Sequence, residues 1–355
     1  MTGVGQQVQT AQARVVGATP TVSVCMPVSR PAMFFRRALG SVLAQDFDDF
    51  EVLIGDDAGL VGAAVDDIDD PRVHYERRVV PLGIARNHVA LLDRAVGRYV
   101  AVLHDDDCWE PSYLSSLVSA LETHPEVGMA CCGTLVDRGP ESSVPWPVPL
   151  EEGSHHDLIE LLLREDWFLL PTSTMWRREL WTGPARQWPD LSCGDLQFFL
   201  SAADAGWGLH YLPRVLAHRV QHDGQVSAWR GPDHGLRAAD DVLAFWGWWL
   251  EGRPDEQVEL TNRQRARWHL RRARALLLAG RSPEARAALA RASELRHASG
   301  IARPELPGLR RLTVSSRLPS AAVRVGVNLK RCASTSGGHQ RAWRIRSALA
   351  VLKSP

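Results

Sequence analysis

An α/β fold with a mainly parallel sheet flanked by helices is predicted by three features of this sequence. Apolar, β-rich runs recur at residues 21–27 (TVSVCMP), 50–54 (FEVLI) and 99–103 (YVAVL). Segments with helical apolar spacing separate them, which is the pattern of βαβ units. The second and third runs each end abruptly in acidic residues, Gly55-Asp56-Asp57 and His104-Asp105-Asp106-Asp107. In sheets of this kind ligands bind at the carboxyl ends of the strands, where both clusters fall.

Residues 34–45 follow the first strand and place Phe35, Leu39, Val42 and Leu43 on one helical face. A short third strand is expected at 73–75, a helix at 84–96, and a further helix and strand at 113–122 and 127–136. Four prolines in residues 140–149 predict a loop. Beyond it, 158–163 reads as helix, 172–176 as extended chain and 195–205 as helix. From about residue 232 the texture changes to Ala-, Arg- and Leu-rich helices. Residues 268–295 resemble one tetratricopeptide-type hairpin, turning at Arg281-Ser282-Pro283. A single such unit cannot bury its own apolar face and needs a surface to dock on.

The 355 residues are 45% hydrophobic and 23% charged, which excludes a disordered or collagen-like chain. Lys+Arg and Asp+Glu balance at 41 each, yet residues 306–355 contain ten basic and no acidic side chains. The rest therefore carries 31 basic against 41 acidic groups, an acidic body with a basic tail. Six cysteines without a C-x-x-C spacing indicate neither a zinc cage nor a disulfide framework, and a reducing compartment is expected. No stretch of ~20 apolar residues or secretory h-region occurs, so a cytoplasmic protein is expected. The apolar-basic pattern of residues 343–353 would suit peripheral contact with the inner face of the plasma membrane. No aromatic-basic interleaving points to nucleic acid.

Carboxylates crowded at a strand end repel one another, and a hard divalent cation with oxygen ligands relieves that repulsion. Mg²⁺ or Mn²⁺ in such a place commonly bridges substrate phosphates.

Taken in order, the motifs resemble glycosyltransferase family 2, inverting nucleotide-sugar enzymes of GT-A fold. They are Val22-Ser23-Val24-Cys25-Met26-Pro27, Ser41-Val42-Leu43-Ala44-Gln45, Phe50 to Asp57, Gly83-Ile84-Ala85-Arg86-Asn87 and Gly97 to Asp107, followed by Trp109 and Pro111. The resemblance implies a Rossmann-like GT-A domain at 20–231, after a leader at 1–19, with a nucleotide-sugar half (20–125) and an acceptor half (126–231). A helical extension (232–300) and the basic tail (301–355) would follow.

The same resemblance implies roles. Pro27, Val28 and Ser29 would line the nucleotide through backbone groups, Asp56 would support its turn and Asp57 would accept a hydrogen bond from the base. Arg86 would approach the base or diphosphate. Asp105 would face the ribose or sugar and Asp106 would bind Mn²⁺ or Mg²⁺, with Asp107 and His222 as further metal-side groups. Relatives often have Asp where this chain has His104, which leaves the D-x-D register open between Asp106 and the pair Asp105 and Asp107; His218 competes with His222.

Inverting transfer needs a base for the acceptor proton. Asp195, in Cys193-Gly194-Asp195, is the candidate, the alternative being a helix cap. Gln264-Arg265-Ala266-Arg267-Trp268 matches the Q-x-x-R-W of processive synthases, but in an Arg- and Trp-rich helix a chance match is the plainer reading. The expectation is a metal-dependent transferase moving a sugar, from UDP in the first instance, to a glycan, lipid-linked or small-molecule acceptor. A catalytically inactive scaffold and a sugar-1-phosphate nucleotidyltransferase are the rivals. The latter would need glycines after the first strand that Pro27-Val28-Ser29-Arg30-Pro31 lacks.

Overall fold

The structure is a computed structural model and describes residues 19–29, 32–57, 59–139, 142–165, 167–183, 186, 191, 193–222 and 232–298. The leader up to residue 18 and the basic tail lie outside the described residues. The chain divides into two compact units, Met1–Ala228 and Trp229–Pro355.

The first unit alternates strand and helix at its start: β1 (Val22–Val28), α1 (Ala32–Leu43), β2 (Phe50–Asp56), α2 (Gly62–Val65), β3 (Val73–Arg77), α3 (Ile84–Arg94), β4 (Tyr99–Val102). It continues with β5 (Cys108–Trp109), α4 (Tyr113–Thr123), β6 (Val127–Asp137), β7 (Ser143–Pro145), β8 (Gly153–His155) and α5 (Leu158–Arg164). After a 3₁₀ turn at Pro171–Ser173 come β9 (Thr174–Arg177), α6 (Arg178–Thr182), α7 (Gly194–Asp204) and β10 (Gly208–Val220). All strands join one sheet in the order β3-β2-β1-β4-β9-β6-β10-β5, with β7 on β6 and β8 on β10.

The first four strands in that order pair in parallel. β1 and β2 are buried along their whole length, which is why they read as near-continuous apolar runs. β9 then runs antiparallel to both β4 and β6, while β6 and β10 are parallel. The parallel rule thus holds for the first half, and the second half is mixed.

Two expectations are corrected. Residues 140–149 are not all loop: Ser143–Pro145 forms β7 on the edge of β6, where proline's missing N–H is tolerated. The thirteen-residue β10 was not anticipated; Pro213 lies inside it, and register shifts between Leu212 and Ala217 bend it past that residue.

Buried polar side chains lock the layers. Gln45, at the end of α1, accepts from Leu114 N (2.8 Å) and donates to the carbonyls of Ser41 (2.9 Å) and Glu110 (2.8 Å), tying α1 to α4. Ser23 of β1 donates to Glu51 of β2 (2.5 Å) and accepts from Gly97 N (2.8 Å). A Cβ on Gly97 would stand 2.5 Å from Ser23 N and 2.7 Å from Val22 C, both backbone atoms of a central strand. Gly97→Ala is therefore expected to destabilise the first unit by about 3 kcal/mol, read from the urea unfolding midpoint.

The second unit is helical: α8 (Pro232–Trp249), α9 (Asp255–Leu260), α10 (Asn262–Leu278) and α11 (Ser282–Ala298). α10 ends as Gly280 takes φ +76° and Arg281 N bonds back to Leu276 O (2.8 Å), a Schellman closure. Ala and Leu side chains from Ala266 to Leu295 form the hairpin core, with Leu236 of α8 packed against it. Gln264 and Trp268 of the Q-x-x-R-W match are each 1% exposed, so two of its three defining side chains are core of this helix.

Candidate active site

The carboxyl edge of the sheet collects the residues singled out in the sequence. Pro27 and Val28 end β1 in register with Gly55 and Asp56 of β2, and Ser29 follows. Asp56 closes the turn after β2 by accepting from Leu60 N (3.1 Å), Val61 N (3.0 Å) and the Tyr75 hydroxyl (3.0 Å). Asp57 anchors its N–H on Val28 O (3.0 Å). Its carboxylate accepts from Leu82 N (2.6 Å) and Gly83 N (2.9 Å), fixing the loop that opens α3. Gly83 adopts φ +83°, a left-handed conformation that suits glycine. Both Asp57 oxygens thus hold backbone, and a nucleobase would use their second lone pairs.

α3 carries Arg86 on its exposed side and buries Asn87 and His88. Asn87 donates to Gly55 O (2.8 Å), binding α3 to β2. The motif reading named Arg86 and missed its neighbours; the helical spacing that buries Asn87 beside Leu91 was the available signal.

Asp105, Asp106 and Asp107 are only 3%, 5% and 3% exposed, and they diverge. Asp105 accepts from Ser29 N (2.8 Å), joining the ends of β4 and β1. Asp106 meets His222 Nε2 at 3.0 Å, and Phe34 stacks on the His222 ring at 4.5 Å between centroids. Asp107 accepts from the Thr172 hydroxyl (2.7 Å) and Val220 N (3.1 Å). Each Asp107 oxygen thus holds one donor of the fold, on Thr172 and on β10. Among the described residues no group of three His, Cys, Asp or Glu side chains is placed to hold a metal ion. His218 is engaged elsewhere, with Glu110 at 2.7 Å and Asp137 at 3.5 Å.

His104 sits at the centre. Its Nε2 lies 3.3 Å from His88 Nε2 and its Nδ1 3.3 Å from Thr172 Oγ1. The bond directions follow from the partners. His88 Nδ1 is 2.7 Å from Ile84 O, which can only accept, so that nitrogen carries the proton. Burial, aided by the His104 charge, pulls His88 down to about 3, so its Nε2 is bare and accepts from His104. Thr172 spends its proton on Asp107 and accepts from His104 Nδ1. His104 therefore donates from both nitrogens. Burial alone would lower its pKa, but Asp107 beside it and the charges of Asp106 and Asp105 outweigh that and raise it.

Asp195 is the second residue of α7, not its cap, which is Cys193. Its carboxyl is pushed up to about 6, chiefly by burial and against the Leu196 N–H, the charge of His104 and the Trp167 indole. A carboxylate raised toward neutrality at an active edge has the properties of a general base.

Similarity to known proteins agrees with this geometry. Residues 23–182 match the model of "Glycosyl transferase family 2". Curated relatives include an uncharacterised protein of Mycobacterium tuberculosis, 28% identical over 183 residues (46% of this chain, 55% of the relative). Another is the colanic acid biosynthesis glycosyl transferase WcaA of Escherichia coli, assigned there as putative, 29% identical over 137 residues (37% and 48%). The chain spans about half the length of these curated relatives. Among solved structures, S. aureus TarS 1-349 in complex with UDP-GlcNAc aligns with TM-score 0.59 at 15% identity, covering 84% of this chain and 91% of that one. The mannosyltransferase PcManGT of Pyrobaculum calidifontis, in complex with GDP-Man and Mn²⁺, aligns with TM-score 0.53 at 19% identity, covering 86% and 87%.

The mixed sheet has the GT-A fold of these structures. Over residues 23–182 the chain is similar to glycosyltransferase family 2.

Proposed function

We propose that this chain transfers a sugar from a nucleoside diphosphate sugar, UDP-linked in the first instance, to a hydroxyl or amine of a glycan, lipid-linked or small-molecule acceptor, with inversion at the anomeric carbon. The observation supporting this reading is the gathering around one buried turn of Asp106 with His222 (3.0 Å) and of His104, whose charge reaches Asp195.

Asp57, Ser29 and Arg86 form the nucleotide side in this reading. Asp106, through a carboxylate oxygen, and His222, through its imidazole, would hold a Mg²⁺ or Mn²⁺ ion. Two protein ligands fit a cation that takes the rest of its coordination from a diphosphate and water. Bound there, the cation would offset charge on the departing diphosphate. Asp195 accepts the proton of the incoming acceptor. The mechanism places attack and departure on opposite faces of the sugar, with one bond formed and one broken.

Nucleotide sugars, UDP-GlcNAc and GDP-mannose among them, should be screened for turnover with Mn²⁺. Release of the nucleoside diphosphate is expected with at least one donor, and NMR of the sugar product should give an inverted anomeric centre. Retention would refute the single displacement. No described helix is long and apolar enough to cross a membrane, and the five described cysteines are free and buried. The basic tail supports peripheral contact with anionic membrane, measurable as cosedimentation with phosphatidylglycerol vesicles.

A further inference from the structure

His88 has no part in the proposed chemistry, yet it is 5% exposed and polar in the middle of a packed helix face. Its ring joins two parts of the site that are far apart in sequence. On one side it is held by Ile84 O in the first turn of α3 (2.7 Å), the turn that also carries Arg86 and follows the Asp57-bound loop. On the other it receives His104, which reaches Thr172, and Thr172 reaches Asp107.

Thr172 also accepts the Trp109 indole N–H on its carbonyl (2.7 Å), so it braces the chain on both sides of the acidic turn. Asp107 extends the path to Val220 N, two residues before His222, the partner of Asp106. A continuous set of directed hydrogen bonds therefore runs from α3 through the acidic turn to the segment that opens β9 and to the end of β10. Its direction is set at one end: the neutral His88 ring keeps its one proton on Nδ1 for the Ile84 carbonyl, which leaves Nε2 to accept.

We propose that His88 is a positioning residue that fixes the orientation of His104, and through Thr172 and Asp107 holds the nucleotide side and the acceptor side of the site in register. An apolar side chain at position 88 removes the acceptor that orients His104, and the imidazole loses its fixed pose between α3 and Thr172. Asp56, Asp57 and Ser29 keep their own partners, the last on the Asp105 carboxylate, so donor binding survives while the alignment of reacting groups degrades. Misalignment of this kind acts on kcat. The kinetic arm rests on the transferase reading; the spectroscopic arm does not.

Two variants of the full chain separate positioning from mere packing. His88→Leu keeps bulk and loses both polar contacts. His88→Gln keeps an amide oxygen to accept from His104 and an amide N–H for Ile84 O. With UDP-GlcNAc and GDP-mannose as probes in Mn²⁺, His88→Leu should lower kcat about tenfold or more while the donor KM stays within about threefold. His88→Gln should stay within about threefold of the parent on both. Equal losses in the two variants, or no loss in His88→Leu, would overturn the proposal.

Long-range ¹H–¹⁵N correlation on histidine-labelled protein gives the independent reading. In the parent, His88 should show a protonated Nδ1 and a bare Nε2, and the His104 resonances should move in His88→Leu and hold in His88→Gln. Protonation of His88 at Nε2 would overturn the proposal even in a protein that turns over neither probe, whereas absent turnover alone counts against the transferase reading.

Discussion

Asp106→Asn is expected to lower nucleotide-sugar turnover by at least about 100-fold, because it removes one charge from the point where a cation and a diphosphate would meet. The side chain is 5% exposed, and its Oδ2 lies 3.0 Å from His222 Nε2. Asparagine preserves the volume and the oxygen facing His222 but not the charge. Since the neighbouring Asp105 and Asp107 are also buried, removing a like charge relieves repulsion. The melting temperature should therefore hold or rise while activity falls. Turnover measured across a Mn²⁺ titration and thermal melts of the same preparation check both halves. Undiminished turnover would remove Asp106 from the metal side altogether.

Asp195→Asn should cost about 10²- to 10⁴-fold in transfer, the usual range for losing a general base. The parent's acid limb should also be diagnostic. With the carboxyl raised to about 6, the base is protonated below that pH, so kcat rises with pH through about 6 and then levels. Stability runs the opposite way. The ordinary carboxyl value is 3.8, so the folded state holds the proton more tightly than the unfolded chain between 3.8 and about 6. The stabilisation from the neutral carboxyl is thus complete at low pH and is lost as pH rises through about 6. Asp195→Asn should melt higher than the parent at pH 8 and close to it at pH 4. A variant that loses activity without this crossing would have lost it for another reason than the base.

The parallel half of the molecule was legible because its signals are local. β1 and β2 are buried on both faces and read as unbroken apolar runs, and the acidic residues that stop β2 and β4 lie at the carboxyl edge. β10 was hidden by Pro213, since its strand character depends on bulges and on pairing with β6, neither of which has a local signature. The hydrogen-bond partners of Asp105, Asp106 and Asp107 were equally out of reach. Three adjacent carboxylates look alike in sequence, and only the positions of Ser29, His222 and Thr172 separate them. His88 had no motif to announce it, and its meaning comes from a histidine sixteen residues away and a carbonyl one turn back.

The reversed direction of β9 has a consequence for how such a protein can diversify. Every parallel strand reaches the active edge at its end, but β9 leaves from that edge, so Thr172 is delivered there at the strand's beginning. Pairing of Thr174–Arg177 with β4 and β6 fixes it from the downstream side. The stretch from β7 to the 3₁₀ turn is itself tied down by β8 on β10 and by the buried leucines of α5, so length and composition can vary in the loops between these elements. Under the proposed transferase reading, exchanging those loops with a relative's would be a route to new acceptor preferences.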